Sequence, residues 1–400
     1  MENKRLPQLC SDMDCTGCMA CVNVCNRGAL SVGKNAEGFY RPSFDRDRCV
    51  MCGLCERSCP ILNPPTRYRE EDIRVYACWH NNDEVRKNSS SGGAFTALAE
   101  TVIEHGGVVV GAAYTGDMHI EHSIIKSKSD LKKLRLSKYA QSNIGDVFVK
   151  VKEELKAGRE VLFVGTACQA AGLKSFLRRD YENLTCADII CHGVPSNNLL
   201  QAYLKWIEPK TGKLTMINFR DKQKGWYDNL RVVTGIDGRV RTLKGDDDAY
   251  WVAFNHNNCL QESCYQCKAQ GFPRCSDITL ADFWRIGQNI PFGHKDEIEK
   301  GVSMIIVNNK RAQSLVNAAS NRMYIEERTI EESVAGNQAG VHSSVRPASR
   351  DIFYKDLELL PFEQFRLKHM KPSMKECLVK IFRERLPFCM IKYVRLKQQK

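Results

Sequence analysis

The chain has 400 residues, 26% of them charged, with a formal net charge of +12 at pH 7 and 19 cysteines. That length accommodates a small module plus one large or two ordinary domains, each with its own core. So many thiols in a chain with no apolar leader segment imply a reducing, cytoplasmic setting, where cysteine goes to metal and not to disulfides.

No apolar run reaches the length of a membrane span; the stretches 107–113 and 161–172 are short and punctuated by glycine. The charge of +12 overstates the basic excess, because cluster-ligating thiols are deprotonated. What remains gathers in 126–138 and near the C-terminus. Aromatic interleaving is absent, so these runs read as solvated helix faces and no nucleic-acid partner is expected.

The first segment carries one cysteine spacing twice. Cys15-x-x-Cys18-x-x-Cys21-x-x-x-Cys25 is followed by Cys49-x-x-Cys52-x-x-Cys55-x-x-x-Cys59-Pro60, the pattern of a bacterial-type ferredoxin with two 4Fe-4S clusters. Each Cys-x-x-Cys-x-x-Cys loop supplies three thiolates and the opposite repeat the fourth. Cys15, Cys18, Cys21 and Cys59 are therefore assigned to one cluster, and Cys49, Cys52, Cys55 and Cys25 to the other. Zinc would favour two separated Cys-x-x-Cys knuckles, and disulfides a secreted setting. Asn26 stands where the second copy has Pro60, which alters a turn and no ligand.

This dicluster module is expected to span residues 1–65 and to stop at Asn63-Pro64-Pro65. A larger domain, 66–345, follows. Its expected elements alternate: strand 74–79, helix 93–105, strand 108–114, strand 161–165, helix 169–179, strand 185–191 and helix 197–207. Residues 214–243 read as antiparallel hairpins around Asp237-Gly238. The class is α+β, with a mixed central sheet and a basic, helical C-terminal extension over 346–400.

A second set of cysteines is scattered through the larger domain. Cys168 follows one strand and Cys191 ends the next, while Cys259, Cys264 and Cys267 crowd one loop, with Cys275 just beyond. Strand ends in an α/β sheet converge on one edge, where ligands bind. Alone, Cys168 and Cys191 would read as small buried hydrophobes. With the Cys264-x-x-Cys267 pair they complete a tetrathiolate site.

Over about residues 1–310, Ser89-Ser-Ser-Gly92-Gly93, Lys138-Tyr139-Ala-Gln141-Ser142, Gly165-Thr-Ala-Cys168-Gln169-x-x-Gly172-Leu173, Cys191-His192-Gly193-Val-Pro195-Ser196 and Ser276-Asp277-Ile-Thr-Leu-Ala-Asp282-Phe-Trp284 form an ordered set. The set resembles the family of beta subunits of the deazaflavin-coenzyme (F-420) hydrogenases and dehydrogenases. The resemblance implies flavin adenine dinucleotide (FAD) and one 4Fe-4S cluster in the large domain, besides the two of the ferredoxin module. Matched position by position, Cys168, Cys191, Cys264 and Cys267 are the implied third-cluster ligands, with Cys259 and Cys275 as spare thiols beside it. Ala167 replaces the family's usual proline, which loosens a turn and removes no ligand.

The residues are also compatible with a flavin. Ser90, Ser91, Gly92 and Gly93 precede an apolar helix, so their amides and hydroxyls can hold a pyrophosphate at its positive end; a plain helix cap is the simpler account of such a loop. Lys138, Tyr139, Gln141 and Ser142 are further candidates for flavin contact, or a solvated helix face. His192 is a candidate for proton transfer or for capping a turn. Of Asp277 and Asp282, at the two ends of a strand, one should face inward. No residue is assigned as catalytic.

Two readings follow. In the first, electrons pass between ferredoxin-type clusters, the third cluster and FAD, coupling one-electron carriers to hydride chemistry on a deazaflavin-like or other small redox substrate. In the second, the chain is a non-catalytic subunit relaying electrons to a partner enzyme. The amphipathic segments 359–366 and 377–388 are candidates for contact with a partner protein or a membrane surface, or for packing on the same chain.

Overall fold

The computed structural model describes residues 5–228 and 230–374. In the N-terminal module each cysteine loop turns through a left-handed residue, Met19 or Gly53, into a short helix, Ala20–Val24 or Leu54–Arg57. Strands β1 (Leu30–Lys34) and β2 (Tyr40–Phe44) pair antiparallel beside them.

The larger region begins with β3 (Arg74–His80), β4 (Val108–Tyr114), β5 (Ile120–Ile125), β6 (Val161–Thr166) and β7 (Leu184–Ile189). After β8 (Leu214–Asp221), β9 (Leu230–Gly235) and β10 (Val240–Thr242) come β11 (Ile278–Asp282), β12 (Ser303–Val307) and β13 (Met323–Arg328). Eight of these form one mixed sheet in the order β13-β3-β12-β11-β7-β6-β4-β5. Its centre, β4, β6, β7 and β11, is parallel, and its flanks are antiparallel.

Continuous apolar runs such as Val108-Val109-Val110 arise because both faces of the sheet are covered. Val109 packs with the helices Ala94–Glu104 and Lys310–Ala318, while Val108 and Val110 pack with Val147–Lys156 and Ala167–Leu177. Cys18, Met19, Ala20 and Tyr40 of the N-terminal module belong to that second core. The ferredoxin module is therefore welded to the large domain by shared apolar burial.

The expected hairpins are the separate antiparallel sheet β10-β9-β8, turning at Gly238, whose φ is +76°. β7 stops at Ile189, so Cys191 lies in the loop beyond the strand and not at its end. Two C-terminal helices, Arg350–Leu359 and Phe362–His369, fold back onto the chain. Phe353 and Phe365 are fully buried there, in one core with Tyr203 and Leu214. The segment 359–366 thus packs on its own chain, while 377–388 lies outside the described residues.

Candidate functional site

The two N-terminal cysteine groups lie close together. The Cys21 thiol lies in the electrostatic field of Cys18, Cys15 and Cys59 and also of Cys55 from the other group, and that of Cys55 in the field of Cys52 and Cys25. The two groups differ in setting: Cys18 and Cys59 are buried, whereas Cys52 is exposed. Cys10, which the spacing gave no reason to include, also sits beside Cys15 and Cys59.

In the large domain β6 runs directly into the helix Ala167–Leu177, which places Cys168 in its first turn. Cys191 follows β7, parallel to β6 and adjacent to it. The loop bearing Cys264 and Cys267 is pinned to the Cys191 loop: the Gln261 amide donates to the Val194 carbonyl at 2.9 Å, and Leu260 bridges Pro195. The four thiols come together, Cys264 lying in the field of Cys191, Cys168 and Cys267. Burial pushes Cys168 up to about 11 and Cys191 up to about 12, and Cys264 well above its ordinary value. Thiolates there need cationic partners, which is what iron supplies.

Cys259 lies elsewhere, fully buried near Tyr250 and Tyr354. Cys275 faces Lys174, Asp188 and Arg67. Among the described residues no three His, Cys, Asp or Glu side chains are close enough to grip one metal ion. A four-iron cube sets its thiolates further apart than a single ion does.

A cavity of about 560 Å³ opens beside these thiols, and Cys168, Cys191, Cys264 and Cys267 are among the residues that line it. That volume falls in the range of cofactor sites. Ser90, Ser91, Gly93, Lys138, Gln141 and Ser142 line it as well. Gly93, with φ +96°, is the N-cap of Ala94–Glu104; Ser303 Oγ accepts from the Ala94 amide at 3.5 Å, and Ala94, Phe95 and Thr96 line the cavity. Ser90 Oγ accepts from the Ser137 amide at 3.0 Å, and Ser91 Oγ donates to the Val302 carbonyl at 2.9 Å.

Gly92 turns away into the sheet. A Cβ there would lie 2.5 Å from the Cys78 carbonyl oxygen and 2.6 Å from the Ser303 nitrogen, so glycine is required by close backbone packing. Gln141 is also engaged elsewhere. Its Oε1 accepts from the Tyr40 amide at 2.6 Å and its Nε2 donates to Gln261 Oε1 at 3.0 Å, tying the ferredoxin module down. Ser142 Oγ meets His122 Nδ1 at 3.0 Å. Tyr139 packs among Phe219, Trp251 and Phe254.

Two cations define the electrostatics of the cavity. The Lys138 ammonium donates to the carbonyls of Lys133 and Arg135, and burial pushes it down to about 7. Arg135 Nε donates to the Thr96 hydroxyl at 3.1 Å. Among the described residues neither is held by a carboxylate within salt-bridge distance. Arg220 and Arg274, also on the wall, are neutralised by Asp282 and Asp188.

His192 lines the cavity and bonds Asn257 Oδ1 at 2.5 Å. Asp277 is fully buried beneath Tyr68, Lys174, Asn309 and Arg311. Asp282 is spent on Arg220 and the Trp226 indole. Each of these three has a structural partner. His122, Arg135 and Thr166 were not singled out from the sequence, since His122 lies on a strand distant in sequence from any cysteine.

Comparison with known proteins gives the following matches. Residues 75–148 and 158–333 match the N-terminal and C-terminal parts of the family described as coenzyme F420 hydrogenase/dehydrogenase, beta subunit. Residues 14–62 match the 4Fe-4S dicluster domain. Over 241 residues the chain is 21% identical to a subunit of the F(420)H(2) dehydrogenase of Methanosarcina mazei, covering 52% of this chain and 68% of that one. Over 68 residues it is 38% identical to an archaeal-type glutamate synthase of Thermotoga maritima, covering 17% of this chain and 13% of that one. A chain of the F420-reducing nickel-iron hydrogenase complex of Methanosarcina barkeri aligns at 19% identity with a TM-score of 0.43, over 76% of this chain and 91% of that one.

Proposed function

The chain belongs to the family of coenzyme F420 hydrogenase/dehydrogenase beta subunits, and on that premise we propose that it relays electrons through three 4Fe-4S clusters to FAD held in the large cavity. Its character as an iron-sulfur electron-transfer protein of this family, with a dicluster module, follows from the family matches. One observation carries the flavin reading: a single cavity is lined by four cysteines and also by the start of the helix Ala94–Glu104, Arg135 and Lys138.

The fit of each group rests on the chemistry of its donors. Cys168, Cys191, Cys264 and Cys267 are a complete thiolate set for one cube. The Arg135 guanidinium and the Lys138 ammonium, beside the start of the Ala94–Glu104 helix, suit a pyrophosphate. When bound, a flavin converts single electrons into two-electron chemistry. The chain's own contribution is position and exclusion of water. Cys18 lies in the field of Cys168, so the inner ferredoxin group adjoins the third thiol set.

The names of the relatives favour a second reading, since one is part of a dehydrogenase and another belongs to a hydrogenase complex. In that reading the chain passes electrons to a larger partner enzyme and turns over no substrate alone. Anaerobic purification with acid extraction tests both. A yellow extract containing about one FAD per chain, with reduction of deazaflavin or nicotinamide by the purified chain, is the expected result for the first. FAD present without any small-molecule turnover points to the second. No flavin at all in the reconstituted chain sinks the flavin assignment.

A further inference from the structure

A line of hydrogen bonds connects the cavity wall to one of the third-set thiols. His122 Nδ1 meets Ser142 Oγ at 3.0 Å, and Gln169 Nε2 donates to Ser142 Oγ at 2.9 Å. Gln169 Oε1 accepts from the Thr166 amide at 3.0 Å and lies 3.1 Å from Thr166 Oγ1. Thr166 Oγ1 lies 3.1 Å from Cys168 Sγ. His122, Ser142 and Gln169 are all more than nine-tenths buried.

The polarity of this line is fixed by what each group can do. Burial pushes His122 down to about 4, so at neutral pH its ring is uncharged. The Thr166 backbone N–H is only a donor, so Gln169 must turn its oxygen toward Thr166 and its amide nitrogen toward Ser142. Ser142 Oγ, already accepting from Gln169, has its own proton free for His122 Nδ1. Gln169 Oε1 is occupied by the Thr166 amide, and Thr166 Oγ1 accepts from the Gln169 amide in a capping box. The one proton left over is that of the Thr166 hydroxyl. Its two acceptors in reach are Gln169 Oε1 and Cys168 Sγ, and a thiolate is the stronger.

We propose that Thr166 is a positioning residue for the third cluster: its hydroxyl, held by the Gln169–Ser142–His122 line, donates to the Cys168 sulfur and raises that cluster's reduction potential. This rests on the reading of Cys168 as a cluster ligand. Reduction adds negative charge to the cube and its sulfurs, so a hydrogen bond to a ligand sulfur stabilises the reduced form more than the oxidised one. One electron enters and no bond is made or broken.

The test is a redox titration of the reconstituted chain followed by electron paramagnetic resonance. Thr166→Val keeps the side-chain shape and removes the proton. The third cluster's midpoint should fall by about 59 mV, a tenfold change in the ratio of reduced to oxidised form for one electron. Thr166→Ser should restore it, and the two ferredoxin midpoints should not move. About twelve irons per chain with an unmoved midpoint in Thr166→Val overturns the proposal while leaving the cluster reading intact; about eight irons in the wild type overturns the cluster reading itself. If Thr166→Val fails to fold for want of its helix cap, Thr166→Asn, whose side-chain oxygen also caps a helix, removes the hydroxyl; the third midpoint should fall there too, and an unmoved midpoint contradicts the hydrogen bond.

Discussion

Lys138 is a half-buried ammonium with no carboxylate within salt-bridge distance among the described residues, and its cost sets a pH dependence. An unfolded lysine titrates near 10.4, whereas burial brings the folded value to about 7. Between those values the unfolded chain binds a proton that the folded chain lacks, so stability rises with pH across that window and levels off below it. Anion binding runs the other way. Affinity of the cluster-loaded, flavin-stripped chain for FAD should weaken as pH rises through about 7, where the free site loses its charge. Lys138→Met should bind FAD at least about tenfold more weakly, which corresponds to 1.4 kcal/mol, and without that pH dependence. Unchanged affinity and an unchanged profile in fluorescence titrations would take Lys138 out of the site. Gly92 shows where residue-level reading misleads. A Ser-Gly-Gly loop before a helix looks like a phosphate cradle, yet the space beside Gly92 is filled by Cys78 and Ser303 backbone. Gly92→Asp would strain the sheet, so loss of flavin in that variant says nothing about a phosphate contact.

The helix Ala167–Leu177 is where the ferredoxin module and the second set of cysteines meet. Cys168 sits at its start, and one turn later Gly172 faces Cys18, whose Cβ and Sγ would lie 2.8 and 2.9 Å from an added Cβ. Gly172→Ala should therefore push the ferredoxin loop outward, costing about 1–3 kcal/mol by overpacking. The magnetic coupling between the inner ferredoxin cluster and the third cluster should weaken, while the outer cluster keeps its signal. Stability and coupling equal to wild type would mean that the two regions do not approach there. The elements around this contact were legible because they are long and buried: Val108–Tyr114 and Val161–Thr166 are continuous apolar runs. β5, the helix Val147–Lys156 and β12 were not read from the sequence. β5 mixes polar and apolar residues, with Glu121 exposed and His122 buried, and its pairing with β4 shows only in the sheet. The C-terminal helices illustrate the same point. Leu360, Phe362 and Phe365 suggest a partner face until Trp206 and Phe353 are found against them.

Across the whole molecule the cysteines extend from an exposed thiol loop to the wall of the large cavity. Cys52 is exposed, Cys18 is buried against the large sheet, and the four later cysteines line the cavity wall. Gln141 and Gln261, each nearly inaccessible, bond one another and also the Tyr40 amide and the Cys15 carbonyl. Arg350 of the C-terminal helices forms an ion pair with Glu37, closing the module from the other side. Among the described residues no helix is long and apolar enough to cross a membrane. The thiol framework was open to sequence reading because cluster ligation depends on cysteine spacing. Of the cavity's two cations Lys138 stood out in its motif, but Arg135 did not, because Arg135 and Thr96 lie far apart in sequence and meet only in the fold. Whether the second set of cysteines holds a third cluster is the central question, and iron analysis with electron paramagnetic resonance after anaerobic reconstitution answers it. Three groups of four cysteines predict about twelve irons per chain, falling to about eight in Cys264→Ser with both ferredoxin signals retained. About eight irons in the wild-type chain, or a Cys264→Ser variant indistinguishable from it, would contradict the account.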